Sequence, residues 1–150
     1  MTLDDVPGIK PFLRLYVAPP IVGKARPRMN RRGSVYTPQK TKRFEDRVSQ
    51  LALFALQAEN RLGPTSLPVI VFGTVVHPLP KRYKTPPSRG WVAKGGHHYP
   101  DLDNVIKACL DGLNGVAYLD DSQVSGLRWT RVYAIEEEQP GIYLELFTVE

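Results

Sequence analysis

Apolar and polar positions alternate in three places along the chain, and each alternation predicts a strand. Residues 11–18 (PFLRLYVA), 127–136 (LRWTRVYAIE) and 141–149 (GIYLELFTV) follow this pattern. A period of two sends successive side chains to opposite faces of a sheet. Residues 67–77 (LPVIVFGTVVH) are apolar almost without a break and rich in β-branched side chains. That is the pattern of a central strand covered on both faces. Two other stretches follow a helical period. In 39–60, Phe44, Val48, Leu51, Phe54 or Ala55, and Ala58 recur at steps of three or four and make one stripe. In 101–114 the stripe is Leu102, Ile106, Cys109 or Leu110, and Leu113.

Punctuation fits these elements. Thr37 before Pro38 predicts an N-cap followed by a first-turn proline. Gly63-Pro64 stops the first helix, and Gly115 closes the second. GKARPRMNRRGSVYTP reads as a basic loop, and VAYLDDSQVSG as a short extended piece with a turn. Residues 78–99 hold prolines and paired glycines and predict a long, exposed basic loop. EEQPG reads as a hairpin turn joining the last two strands. Residues 1–10 are expected to form a flexible N-terminal segment. The order is β-α-β-α-β-β, an α+β class chain with a mixed sheet and two main helices, in a single domain over 1–150.

Composition narrows the setting. A chain of 150 residues suits one domain. Cys109 is the single cysteine, so no disulfide forms within the chain and a reducing compartment is expected. MTLDDVPGIK is acidic and lacks the apolar run of a signal peptide. No stretch approaches the roughly 20 apolar residues that span a bilayer. The expectation is a soluble, cytoplasmic protein with no membrane partner.

Charge then changes the picture. The net charge is +5, but it is unevenly placed. Between Lys24 and Arg43 lie eight basic residues and no acid: Lys24, Arg26, Arg28, Arg31, Arg32, Lys40, Lys42 and Arg43. Lys81, Arg82, Lys84, Arg89 and Lys94 form a second acid-free basic segment. From Pro100 onward ten acids face only Lys107, Arg128 and Arg131. Two basic arms beside one acidic focus suggest a phosphate backbone as partner. Solvated loops are the plain alternative. Lys24, Arg26, Arg28, Arg31 and Arg32 are the first candidates for DNA backbone contacts, followed by Lys81, Arg82 and Lys84.

The acidic focus begins at YPDLDNVIK. Asp is a favoured N-cap, and a second acid in the first turn is favoured by the helix dipole, so Asp101 and Asp103 have an ordinary explanation. Two features add weight to another. Asp103, Lys107 and Asp111 fall at i, i+4 and i+8, with Asn104 nearby, opposite the apolar stripe. A second acid pair, Asp120-Asp121, follows soon after the helix, so the chain doubling back can bring it beside the first. Clustered carboxylates repel unless a cation compensates, and hard oxygen donors suit Mg²⁺ or Mn²⁺.

The segment DLDNVIKACLDGLNGVAYLDDSQV resembles the signature of the RusA family of Holliday junction resolvases: Asp-x-Asp-Asn-x-x-Lys, an Asp on the same helix, then Asp-Asp-x-Gln. GKARPR and VYTP upstream are similar to elements of phage-type members. The resemblance implies an α+β endodeoxyribonuclease that cuts four-way DNA junctions in recombination and repair, with Mg²⁺ (Mn²⁺ as a substitute) and as a homodimer. It implies that Asp101, Asp103 and Asp121 bind the metal, with Lys107 as an essential catalytic lysine. Asp120 is a secondary ligand or a turn residue. Lys107 also has an ordinary alternative, an i,i+4 ion pair with Asp103.

His97 and His98 precede the motif and either assist near the scissile phosphate or are exposed loop residues. Trp91 and Tyr83 stack on unpaired bases or pack the loop against the body. Three rival functions stay open. One is a nuclease for other branched DNA, and another is a branched-DNA-binding module without catalysis. The third is a phosphotransferase using Asp-x-Asp; such sites normally follow an apolar strand, whereas GGHHYP precedes Asp101.

Overall fold

The computed structural model describes residues 10–61, 63–81, 83 and 99–149. Apart from Lys10, the expected N-terminal segment therefore lies outside the described residues, as does most of the 78–99 loop.

The elements run β1 (Leu13–Val17), β2 (Arg28–Met29), β3 (Val35–Tyr36), α1 (Gln39–Ala58), β4 (Val69–His77), α2 (Leu102–Leu113), a 3₁₀ turn (Asp121–Gln123), β5 (Val124–Tyr133) and β6 (Gly141–Thr148). Four strands form one mixed sheet in the order β1-β6-β4-β5, and β2 pairs with β3 in a separate ribbon. The α+β reading and the two main helices are borne out. Strand β4 is central, as its apolar run predicts.

The hairpin expected at EEQPG is not there. β4 lies between β5 and β6, pairing parallel with β5 and antiparallel with β6. An apolar strand with both edges in demand inserts between the two strands that follow it. Residues 134–140 therefore cross over the end of β4, where the Ala134 amide donates to the His77 carbonyl at 2.8 Å. The basic loop also differs from expectation, because it contains the β2–β3 ribbon.

Both helices pack on one face of the sheet. Val69, Val71 and Val75 of β4 face them, beside Ile142, Leu144 and Leu146 of β6 and Leu13, Leu15 and Val17 of β1, all buried. The opposite face is not covered in the same way: Ile70, Phe72 and Thr74 are only half-buried. Among the described residues no helix lies over that second face, although Val76 and Phe147 on it are buried. Phe72 and Phe147 meet edge to face there at 5.3 Å.

Helix α1 buries Thr41, Phe44, Val48, Ala52 and Leu56. The predicted stripe holds through Leu51 and, of its two alternatives, Ala55, which pack against the core; Phe54 is 77% exposed, and Ala58 is exposed as well. Steps of three and four are equally helical, and only the sheet decides which continues. Pro38, not Thr37, is the cap of α1, and no side chain closes it. Helix α2 buries Val105, Ala108, Cys109, Gly112 and Leu113. The helices approach closely at Gly112, where an added Cβ would lie 2.7 Å from that of Val48. Gly115 takes φ +80° just past α2, the left-handed conformation expected of a closing glycine.

Candidate active site at the start of helix α2

Asp101 is the cap residue of α2, but its carboxylate makes no capping hydrogen bond. Asp103 sits in the first turn. Asp101, Asp103, Lys107 and Asp111 are all exposed, and Asp103, Lys107 and Asp111 follow one another along α2, opposite its buried face. Among the described residues, no hydrogen bond or ion pair engages the carboxylates of Asp101, Asp103 and Asp121 or the ammonium of Lys107. The i,i+4 pair of Lys107 with Asp103 is thus not formed.

The chain doubles back after α2 as expected. The buried Tyr118 hydroxyl donates to the Leu110 carbonyl at 2.7 Å, which docks the returning segment on α2. Burial raises the Tyr118 pKa, and the nearby charges of Asp121 and Asp111 raise it further. Asp121 opens the 3₁₀ turn and is exposed. Asp120 closes that turn: its carboxylate accepts from the Ser122 amide at 3.1 Å, while Gln123 accepts from the Asp120 amide at 2.9 Å. Hydrogen bonds from Ser122, with a smaller one from the Asp121 amide, hold the Asp120 carboxyl below its ordinary pKa. The Gln123 side chain also donates to the carbonyls of Thr65 and Leu67, tying the turn to the strand entry.

No group of three or more His, Cys, Asp or Glu side chains is close enough to hold a metal ion among the described residues. The expected aspartates are therefore not assembled into a preformed three-carboxylate cage. By type alone, these side chains are the hard oxygen donors that Mg²⁺ takes. Asp101, Asp103 and Asp121 offer uncommitted, exposed oxygens, and Mg²⁺ is commonly held by one or two carboxylates plus water and substrate phosphate.

Three contacts fix the start of α2. Arg131 of β5 donates through Nη2 to the carbonyl of Pro100, the residue before Asp101. Burial lowers the Arg131 pKa, and the charge of Asp101 partly offsets that. Gly23 packs on the other side, where an added Cβ would lie 2.8 Å from that of Pro100. The next amide, Lys24, donates to the Asn104 carbonyl at 2.8 Å. The Lys24 ammonium then pairs with Glu45 of α1 at 2.7 Å and Asp111 of α2 at 2.9 Å. Burial opposes its charge, but the two carboxylates prevail and raise its pKa. Lys24 thus joins the basic arm to both helices.

Beneath this seat lies a buried polar group that the sequence reading missed. His77 ends β4, is 1% exposed and stacks on Tyr99 at 3.9 Å. Burial, with the Arg131 charge, lowers its pKa to about 4, so the ring is neutral. His77 Nε2, Trp129 Nε1 and Arg131 Nε are buried without a hydrogen-bond partner. Trp129 covers Gly73, where a Cβ would fall 2.3 Å from the indole ring. An isolated His or Arg in a strand gives no local signal of this clustering, because the parallel β4–β5 register creates it.

Of the expected DNA contacts, Arg26, Arg28, Arg31 and Arg32 are exposed, as is Lys81. Arg82, Lys84, Trp91, His97 and His98 lie outside the described residues. Tyr83 meets Tyr133 at 5.9 Å, the packing alternative for that ring. No described helix is long and apolar enough to cross a membrane.

A family model described as Endodeoxyribonuclease RusA matches residues 19–146. The chain is also 33% identical over 122 residues to the uncharacterized protein YqaN of Bacillus subtilis (strain 168), an alignment covering 77% of this chain and 83% of that protein.

Proposed function

The chain belongs to the RusA endodeoxyribonuclease family, and we propose that it is a metal-dependent endonuclease that resolves four-way DNA junctions in recombination and repair. The observation that carries this reading is that Asp101 at the cap of α2, and Asp103 and Lys107 on its solvent face, are exposed and unengaged among the described residues. Ordinary helix capping would have used Asp101, and an ordinary surface ion pair would have used Lys107. Neither group is spent in that way.

Asp101, Asp103 and Asp121 would hold Mg²⁺, with Mn²⁺ as a substitute, while Asp120 serves the turn. The ion supplies charge neutralisation, phosphate orientation and a more acidic bound water. Lys107 lies one turn after Asp103 and presents a compact cation toward a phosphate oxygen that gains charge during hydrolysis. Arg131 and Gly23 hold the Pro100-Asp101 peptide, so the first carboxylate is set by the sheet and the arm. Arg26, Arg28, Arg31 and Arg32 contact the backbone, helped by Lys81, Arg82 and Lys84, with Lys24 anchoring the arm. A junction has near two-fold symmetry, so paired nicks call for two copies of the chain in a closed dimer. The protein acts in the cytoplasm.

The test is a nicking assay on a four-way junction, a linear duplex and a flap, each with Mg²⁺ or EDTA. Symmetric paired nicks in the junction, only with Mg²⁺, are expected. Equal cutting of the flap would favour a broader branched-DNA nuclease, and binding without cutting would leave a recognition module.

A further inference from the structure

The arm between Gly23 and α1 is not an unstructured basic loop. Every residue from 26 to 36 is exposed, so this stretch projects from the body. Its tip is nevertheless well built. The Asn30 carboxamide oxygen accepts from the amides of Arg32 and Ser34, each at 2.9 Å. The Asn30 amide donates to the Ser34 carbonyl at 2.9 Å, and the Gly33 amide to the Asn30 carbonyl at 3.0 Å. Gly33 takes φ +81°, which a glycine adopts without strain. The base is fixed as well, by the Lys24 contacts and by Thr41, whose hydroxyl bridges the Gly23 carbonyl and the Ala25 amide.

The ribbon register sorts its side chains. Arg28 pairs with Tyr36 and Met29 with Val35, so each pair lies on one face. One face is cationic and aromatic. The other is apolar, and Met29 and Val35 are 70% and 66% exposed. A two-stranded ribbon gains little stability on its own, and it does not normally leave its apolar face in water. What covers that face must tolerate four arginines around it. Another copy of this cationic finger would be repelled. Nucleic acid supplies both parts, phosphates for the arginines and flat apolar base surfaces for the Met29–Val35 face.

Building on the proposed nuclease activity, we infer that the β2–β3 ribbon is a branch-point wedge. Arg28, Arg31 and Arg32 grip phosphates, while Met29 and Val35 lie against bases unstacked at the crossover. The ribbon grows from the same Gly23-Lys24 anchor that holds the start of α2. A wedge seated at the branch would therefore set which phosphate lies over Asp101. The ligand is branched DNA with an open step, and apolar side chains at such a step are a known way to hold bases apart.

The test uses the full chain in EDTA with a four-way junction carrying 2-aminopurine either at the branch or within one arm. Wild type should raise branch fluorescence several-fold at saturation and leave the arm label unchanged. Met29→Ser with Val35→Ser should bind within about threefold of wild type, because the arginines remain, yet lose most of the rise. Met29→Leu with Val35→Leu should keep it. An undiminished rise in the serine variant would overturn the wedge, and so would a wild-type complex with no rise. Light scattering on both proteins without DNA should give one mass; a lower mass for the serine variant would reassign the face to contact between copies and also overturn it. Failure of wild type to prefer junction over duplex would remove the underlying nuclease reading, and the wedge with it.

Discussion

The start of α2 and the β2–β3 ribbon leave one anchor in opposite styles. The seat of Asp101 is held from three sides, by Arg131 from the sheet, by Gly23 against Pro100 and by Lys24 through both helices. Among the described residues, the ribbon is held at its base and by its own turn. Chemistry needs its charges positioned before substrate arrives, which favours a seat on packed elements. Recognition of a branched, deformable ligand needs reach, and a projecting ribbon provides it. Mutations in the seat should therefore damage cleavage, and loss of the ribbon's arginines should damage binding.

The largest separation of these effects is expected at Lys107. Replacing it with Met should lower the single-turnover cleavage rate by about 10²–10³-fold, the usual loss for one electrostatic donor, while junction affinity changes little. Equal losses in affinity and rate would place Lys107 with the binding groups.

His77 sharpens the contrast from beneath the seat. Its folded pKa of about 4 lies below the ordinary 6.5, so the unfolded chain binds more protons between those values. The stability it contributes is present above about pH 6.5 and is lost as pH falls toward 4, up to about 3 kcal/mol. Urea midpoints of the metal-free protein should fall over that window. His77→Gln should flatten the dependence, and an unchanged slope would show that other groups titrate there.

A smaller effect is expected in the ribbon. Arg31→Gln with Arg32→Gln should weaken junction binding about tenfold at moderate salt and lower the slope of log affinity against log salt by about 2. Cleavage at saturating protein should stay within about threefold of wild type. A collapse of the saturated rate would mean that the ribbon and the seat are one machine.

Much of this organisation was legible in the sequence, and the gaps have physical causes. The central place of β4 follows from its unbroken apolar run. The polar edge of α2 follows from the spacing of Asp103, Lys107 and Asp111. The β5–β6 hairpin was misread because strands adjacent in sequence usually pair, and a Pro-Gly turn invites it. The competing demand came from β4, a strand far upstream. Lys24 was read as a phosphate contact from local charge, but the fold hands it two carboxylates from distant helices. Arg131 gave no sign of its role, because the Pro100 carbonyl meets it only through tertiary packing. Asp120 stands next to Asp121 in sequence, and its carboxylate takes part in a capping box with Gln123.

The account turns on whether the uncommitted carboxylate at the start of α2 serves a divalent ion during strand cleavage. The direct measurement is the Mg²⁺ dependence of junction cleavage by wild type and Asp101→Asn, with junction affinity measured in EDTA on the same preparations. Cleavage lost by about 10²-fold or more in the variant, with affinity retained, is the predicted result. Wild-type rates and the same Mg²⁺ dependence in Asp101→Asn would contradict it.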